Sequence, residues 1–164
     1  MLRKIKNALI SVSDKTDLNQ ILKVLKKYNI EIISSGGTYK TIKKLGYKCE
    51  EISSYTGFKE MLGGRVKTLH PKIHSGILFN RSNKKHKKEM KKQEYLSIDL
   101  VVVNFYPFKN SVINSKNEKN IIENIDIGGP TMVRAAAKNY KDVLIITEKN
   151  DYSRLVDELK KYKG

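Results

Sequence analysis

Short apolar runs bounded by turn residues alternate with segments of helical periodicity, and this alternation constrains the fold more than any other feature of the chain. The clearest apolar run contains Val101-Val102-Val103, which is typical of a central strand buried on both faces. The sequence predicts strands at 8–12, 31–34, 48–52, 100–104 and 143–146, and helices at 17–28, 38–45, 130–139 and 151–161. The predicted fold is therefore α/β, a mostly parallel sheet flanked by helices on both faces.

The length of the chain fits one domain, which we place at residues 1–164. No internal repeat or low-complexity linker divides it. The polar stretch at 109–119 is predicted to be a loop.

The net charge of +16 raises the question of a nucleic-acid partner. Lysines are scattered along the chain, and only 83–92 forms a basic block, for which a solvated helix face is a sufficient explanation. Stacking aromatic residues are not interleaved with that block, so we predict no nucleic-acid partner. The positive potential would still attract a small phosphorylated molecule.

Cysteine content and hydropathy indicate the compartment. The single Cys49 cannot form an internal disulfide, and no apolar run approaches the roughly 18 residues of a membrane span. No signal-peptide core follows Met1-Leu2-Arg3-Lys4-Ile5-Lys6. We therefore expect a cytoplasmic protein without a membrane partner.

Polar clusters follow the predicted strands at 8–12, 31–34 and 100–104. In open α/β sheets, ligands bind outside the carboxyl ends of the strands, so these clusters predict one site along one edge of the sheet. Ser35-Gly36-Gly37-Thr38 leads into a predicted helix, whose free N–H groups favour a phosphate. The alternative is an ordinary tight turn with a threonine cap. The segment is neither a Walker A loop nor a dinucleotide fingerprint.

Two further segments carry charged residues beside glycines. In Leu62-Gly63-Gly64-Arg65-Val66-Lys67-Thr68-Leu69-His70-Pro71, an extended backbone would point Arg65 and Lys67 the same way, so that they clamp one anion. Solvated loop charges are the alternative. Asp126-Ile127-Gly128-Gly129-Pro130-Thr131 precedes a helix in which Arg134 and Lys138 lie one turn apart. Alanine-rich packing explains that helix but leaves Asp126 unexplained.

A metal site is not expected. His70 and His74 are four residues apart, as ligands on one helix face are, but no clear third ligand accompanies them. Packing or support of the neighbouring loop is the preferred interpretation of both histidines.

Six blocks in order resemble one enzyme family. They are Ser-Val-Ser-Asp-Lys from Ser11, Ser-Gly-Gly-Thr from Ser35, Thr-Gly-Phe from Thr56, Met-Leu-Gly-Gly-Arg-Val-Lys-Thr-Leu-His-Pro from Met61, Asn-Phe-Tyr-Pro-Phe from Asn104, and Ile-Asp-Ile-Gly-Gly-Pro-Thr-Met-Val-Arg-Ala-Ala-Ala-Lys-Asn from Ile125. The chain thereby resembles the IMP cyclohydrolase domain of bifunctional purine-biosynthesis proteins, from about Ala8 to about Leu159. The resemblance implies a methylglyoxal-synthase-like fold and conversion of 5-formamidoimidazole-4-carboxamide ribotide to inosine monophosphate and water, without a cofactor.

The resemblance also implies the residues of the site. The nucleotide would be surrounded by Ser13, Asp14, Lys15, Ser35, Gly36, Gly37, Thr38, Arg65, Val66, Lys67 and Thr68, with Val103, Asn104, Asp126 and Ile127 beside its base. The chemical group would be Lys67, Tyr106, Asp126 and Lys138. The reaction needs a base for the carboxamide proton, a donor for the oxyanion and an acid for the leaving hydroxyl. We assign proton transfer to Lys138, oriented by Asp126, and the oxyanion to Lys67 with Tyr106; the reverse assignment of the lysines stays open.

Partners follow from the same resemblance. The family's domain is usually fused to a formyltransferase that makes its substrate, and no block of this chain matches one, so a formyltransferase domain or separate protein would supply the substrate. A homodimer is a further expectation. Methylglyoxal synthase activity and a regulatory nucleotide-binding module are the competing functions on this fold, and the blocks at 65–71 and 126–138 favour the cyclohydrolase over both.

Overall fold

The computed structural model describes residues 3–164, and Met1 and Leu2 of the amino-terminal segment discussed above lie outside the described residues. A five-stranded sheet forms the centre, in the order β3-β2-β1-β4-β5, and every pair of neighbouring strands is parallel. The strands are β1 Asn7–Val12, β2 Glu31–Ser34, β3 Glu50–Glu51, β4 Leu100–Asn104 and β5 Leu144–Ile146.

Helices connect the strands, as a parallel sheet requires. They are α1 Leu18–Lys27, α2 Gly36–Lys44, α3 Ile52–Thr56, α4 Pro71–Leu78, α5 Lys84–Lys92, α6 Phe108–Asn114, α7 Glu118–Glu123, α8 Gly128–Lys138 and α9 Tyr152–Tyr162, with short 3-10 turns at Leu62–Gly64 and Lys149–Asp151.

The sheet is buried on both faces. On one face, alternate residues of the strands such as Ile10 and Val102 pack with buried side chains of α1, α2 and α9. On the other, Leu9 and Val101 pack with buried side chains of α3, α4 and α8. The predicted α/β fold with helices on both faces is confirmed, and the unbroken valine run of β4 is explained because successive residues enter opposite cores.

Two sequence expectations need correction. The strand predicted at 48–52 is reduced to Glu50–Glu51, because Ile52 already begins α3. The stretch at 109–119, predicted to be a loop, is largely helical: it contains most of α6 and the start of α7. Asn117 initiates α7 by accepting hydrogen bonds from the N–H groups of Lys119 and Asn120, a capping role that its polar surroundings obscured.

The edge of the sheet at the amino ends of the strands is held by a buried ion-pair network. The Asp99 carboxylate accepts hydrogen bonds from the N–H groups of Lys6 and Asn7 and from the Arg81 guanidinium at 2.9 Å. Arg81 also donates to the carbonyls of Ile98 and Asp142.

Within residues 3–164, no helix is long and apolar enough to cross a membrane.

We expect Asp99→Ala to lower the free energy of unfolding by about 3 kcal/mol, because it leaves Arg81 buried without its counter-ion. The side chains of Arg81 and Asp99 are 9% and 14% exposed, whereas those of the Lys48–Glu31 pair are 85% and 61% exposed. Glu31→Ala is therefore the matched control, with an expected loss below about 1 kcal/mol. Urea unfolding of both variants measures the difference; equal losses would contradict the structural role of the network.

Candidate active site

A cavity of about 600 Å³ opens at the edge of the sheet where β1, β2 and β4 end. The register Val12↔Asn104 and Ile10↔Ser34 brings these strand ends together, so the loops that follow them share one space. Helices α2 and α8 begin at its wall, and the segment around residues 63–68 completes it. The site therefore lies where the strand order predicts it.

The loop after β1 is held in place by Asn104. The Asn104 side-chain oxygen accepts hydrogen bonds from the N–H groups of Ser13 at 2.6 Å and Asp14 at 2.9 Å, and its NH₂ group donates to the Asp14 carbonyl. Lys15 folds back so that its ammonium donates to the carbonyls of Val12 and Ser13. This arrangement places a positive charge at the cavity wall.

The start of α2 offers free backbone donors. Ser35, the residue preceding the helix, makes no side-chain capping hydrogen bond, and Gly36 has a φ of +55°. The first N–H groups of a helix have no acceptor within it, so they remain for an anion. The Thr38 hydroxyl is engaged elsewhere: it donates to the Val12 carbonyl at 2.9 Å and accepts from the Val12 N–H at 3.1 Å. Thr38 therefore ties α2 to β1 and does not cap the helix.

Lys67 reaches the cavity across Gly64. A Cβ on Gly64 would lie 2.6 Å from the Lys67 Cε, and Gly64 also has a φ of +93°, so a glycine is required there on two grounds. A Cβ on Gly36 would lie 3.4 Å from the Lys67 Nζ, which places this ammonium beside the start of α2. Its acidic partner is Glu60, at 3.2 Å.

The extended backbone on which a joint clamp by Arg65 and Lys67 was predicted is not present at Arg65. Arg65 has helical backbone angles, φ −65° and ψ −25°, so the segment is not extended there and simple alternation does not apply. The Arg65 guanidinium donates from both Nε and a terminal nitrogen to the two carboxylate oxygens of Glu123. Each cation of this segment is thus paired with a different carboxylate.

The start of α8 forms the opposite wall. The Asp126 Oδ1 accepts a hydrogen bond from the Gly129 N–H at 2.8 Å, so Asp126 caps this helix. A Cβ on Gly129 would lie 2.5 Å from the Asp126 Oδ2, and a Cβ on Gly128 would lie 2.4 Å from the buried Thr68 hydroxyl. The two glycines therefore allow the helix to approach Asp126 and the 65–68 segment closely.

Most of the predicted site residues line this cavity: Ser13, Lys15, Ser35, Gly36, Gly37, Thr38, Arg65, Lys67, Thr68, Asn104, Tyr106, Asp126 and Ile127. Four do not. Asp14 points to Thr16 and Lys149, Val103 is buried in the sheet, and Val66 faces Met61 in an isolated β-bridge. Lys138 is exposed in the last turn of α8, about 15 Å along the helix from Gly128.

Among the residues of the cavity wall, the sequence did not indicate Glu123, the apolar residues Ile122 and Ile125, or the need for a glycine at position 64. Glu123 lies at the end of the helix α7, which was predicted in part as loop, and its pairing with Arg65 spans 58 residues of sequence. Such a contact has no local sequence pattern.

The two histidines support the loop. His70 precedes α4 and its Nδ1 accepts a hydrogen bond from the Lys72 N–H at 3.1 Å. His74 is half-buried, and burial lowers its pKa, an effect that the Thr68 backbone opposes. Across the part of the chain that the structure describes, no group of three or more His, Cys, Asp or Glu side chains could hold a metal ion.

We expect the Asp14 carboxyl to titrate near pH 2. The hydroxyl and N–H of Thr16 and the ammonium of Lys149 lower its pKa from 3.8 to about 2. Because the folded pKa is the lower one, the stability contributed by this carboxylate is present above about pH 4 and is lost as the pH falls through 2.

Carboxyl-detected NMR titration measures this pKa. Thr16→Val is expected to raise the pKa of Asp14 more than Lys149→Met does, since Thr16 contributes the largest effect. A pKa near 3.8 in the unsubstituted protein would contradict the geometry of this turn.

Comparison with known proteins places this geometry in a family. The model of the MGS-like domain matches residues 17–131. The chain is 52% identical over 157 residues to the bifunctional purine biosynthesis protein PurH of Acetivibrio thermocellus, covering 95% of this chain and 30% of that protein. It is 50% identical over 162 residues to PurH of Bradyrhizobium diazoefficiens, covering 99% and 31% respectively.

The chain thus spans about 30% of the length of these curated relatives. Among solved structures, the crystal structure of ForH superposes with a TM-score of 0.85 at 30% identity, covering 97% of this chain and 80% of that one. The family model covers well over half of the chain, and the parallel sheet with its cavity agrees with it. The chain belongs to the family of MGS-like domains, with PurH proteins of purine biosynthesis as relatives.

Proposed function

We propose that this domain is an IMP cyclohydrolase, which closes the purine ring of 5-formamidoimidazole-4-carboxamide ribotide and releases water. The observation that carries the proposal is the convergence of Lys67, Tyr106 and Asp126 on one cavity, beside the free start of α2. The identity of 50–52% to PurH proteins supports the choice of a purine precursor as substrate.

The two helix starts orient the ligand. The start of α2 carries no side-chain cap, and its first N–H groups have no acceptor within the helix, so it suits the phosphate of the ribotide. The start of α8 is already capped by the Asp126 carboxylate, which would repel a phosphate. The phosphate therefore lies at α2, and the heterocycle extends towards Asp126 and Ile127.

Ring closure needs the carboxamide nitrogen to attack the formyl carbon, with loss of a proton from that nitrogen and development of negative charge on the formyl oxygen. Lys67 carries an ammonium 3.2 Å from Glu60, and Tyr106 adds a hydroxyl donor, so these two groups stabilise the developing oxyanion. Elimination of that oxygen as water requires two protons on the oxygen, and the formamide nitrogen gives up its own proton as the C=N bond forms. The proton taken from the carboxamide nitrogen and the one lost by the formamide nitrogen balance the two that leave with the water.

Asp126 is the cavity carboxylate best placed to receive or orient the carboxamide. Its Oδ1 is engaged by Gly129, whereas its Oδ2 accepts no hydrogen bond from residues 3–164, and the residue lines the cavity. Proton transfer by Lys138 remains a prediction from the family resemblance alone, because this residue lies at the far end of α8. The Lys138→Ala variant tests whether Lys138 contributes to turnover.

Supply of the substrate is proposed to be a separate activity. Formyl transfer from a folate needs a pocket for a large donor, and the polar clusters of this domain converge on one cavity. A formyltransferase domain or protein would therefore deliver the formylated ribotide.

The purified domain is expected to convert the formylated ribotide to inosine monophosphate, followed by ultraviolet absorbance, at the same rate with and without a chelator. The reaction needs a base, a donor and an acid, all of which side chains supply. Absence of product at substrate concentrations well above those of the cell would refute the proposed function. Loss of activity with chelator and its return with zinc would refute the metal-independent mechanism.

We expect Lys67→Ala to reduce turnover by about 10²-fold or more, as loss of a preorganised oxyanion donor commonly does. Steady-state kinetics separates this loss in kcat from a change in KM. Lys138→Ala is measured in parallel: a loss in kcat as large as that of Lys67→Ala would mean that Lys138 reaches the reacting atoms in another arrangement of the chain.

Two adjacent glycines provide a matched control for the position of Lys67. Both have positive φ, +63° at Gly63 and +93° at Gly64, but a Cβ on Gly63 meets no atom within 4 Å, whereas one on Gly64 meets Lys67. Gly64→Ala is therefore expected to lower kcat much more than Gly63→Ala. Similar values for the two variants would show that backbone strain alone is responsible.

A further inference from the structure

Tyr152, the first residue of α9, carries a polar atom into the core without a partner. The residue is 1% exposed and belongs to the same core cluster as Val12 and Leu18, which flank the loop at residues 13–17. Its hydroxyl is buried and makes no hydrogen bond within residues 3–164. A buried hydroxyl without a partner costs free energy, and a phenylalanine would fill the same space without that cost. Packing alone therefore does not explain the hydroxyl.

An unused donor lies beside that hydroxyl, on Asn104. The Asn104 oxygen accepts two hydrogen bonds from the loop, and its NH₂ group donates one, to the Asp14 carbonyl. A side-chain amide has two N–H hydrogens, so one of them has no acceptor among residues 3–164. Burial raises the pKa of the Tyr152 hydroxyl, and the Asn104 side chain next to it opposes that rise. A donor and an acceptor that lack partners thus lie close together behind the loop.

Asn104 connects Tyr152 to the cavity. By accepting from two backbone N–H groups of the loop, it sets the course of the segment from which Lys15 extends. The Lys15 ammonium reaches the start of α2, since a Cβ on Gly37 would lie 3.7 Å from its Nζ. A contact at Asn104 therefore acts on the end of the cavity where we place the phosphate of the ribotide.

A second contact joins the same two segments of the chain. The Lys149 ammonium, in the 3-10 turn before α9, lies 3.1 Å from the Asp14 Oδ2. Their side chains are 46% and 47% exposed, so this ion pair by itself holds the loop weakly. A hydrogen bond to the buried Tyr152 hydroxyl would hold it more firmly, because it is shielded from water.

We propose that Tyr152 is a positioning residue of the site: its hydroxyl accepts the second hydrogen of the Asn104 amide as the loop at residues 13–17 closes on a ligand, and so keeps Lys15 at the start of α2. Tyr152 is not part of the cavity wall, so it acts through Asn104. The inference deepens the proposed function and rests on it for the identity of the ligand.

Tyr152→Phe removes only the hydroxyl. With the formylated ribotide as substrate, this variant is expected to raise KM about fivefold, the effect of one lost hydrogen bond on binding. It is expected to leave kcat unchanged, because the lost contact does not involve the reacting atoms. Urea unfolding of the same variant is expected to show no loss of stability, since the hydroxyl makes no hydrogen bond within residues 3–164.

Tyr55→Phe is the matched control. Tyr55 is also buried, but its hydroxyl accepts a hydrogen bond from the Leu96 N–H at 2.9 Å, in the core on the opposite face of the sheet. This variant is expected to lose stability and to keep KM unchanged. The inference is overturned if Tyr152→Phe has the KM of the unsubstituted chain, or if it is destabilised as much as Tyr55→Phe, as a structural role would require.

A spectroscopic measurement does not depend on turnover. Inorganic phosphate is the probe, and NMR follows the two side-chain N–H resonances of Asn104. Added phosphate is expected to shift these resonances in the unsubstituted chain and to shift them less in Tyr152→Phe. Equal shifts in both proteins, or no shift in either, would overturn the inference. If the domain closes no purine ring, the proposed function fails, and this comparison still decides the role of Tyr152.

Discussion

The parallel register between β1 and β4 is the constraint on which the rest of the site depends. Pairing of Val12 with Asn104 ends both strands at the same level, so that the Asn104 side chain reaches the backbone of Ser13 and Asp14. Since both faces of the sheet are buried, a shift of one residue would exchange the side chains of the two cores. Core packing therefore fixes the register, and the register in turn fixes the positions of the site residues at the strand ends.

Close approach of backbones is the second requirement. The start of α8 meets Asp126 and Thr68 at distances that leave no room for a Cβ on Gly128 or Gly129, and Gly64 gives the same clearance to Lys67. A side chain at Gly128 would push the start of α8 away from Thr68, and one at Gly64 or Gly129 would displace Lys67 or Asp126. The glycines thus determine where these side chains lie, while the charged residues determine the chemistry of the site.

The charged side chains of the cavity each have a partner of opposite charge or polarity. Lys67 is paired with Glu60, Arg65 with Glu123, and Asp126 with the start of a helix, so none of these three groups is isolated. An isolated charge near low-dielectric walls is costly, and pairing lowers that cost.

The sequence by itself determined the α/β class, the strands β1, β2 and β4 within a residue, and the edge of the sheet at which polar residues gather, because apolar periodicity and turn residues act locally. It also indicated most residues of the cavity wall, since glycine-rich turns and charges stand out in short windows. Only the tertiary structure decided that Arg65 and Lys67 face different carboxylates, that Thr38 bonds β1 instead of capping α2, and that Lys138 lies at the far end of α8. The reason is that each of these outcomes depends on which distant segment packs against the residue. The register of the sheet and the close approach at the glycines determine that segment, and the neighbouring residues in the sequence do not.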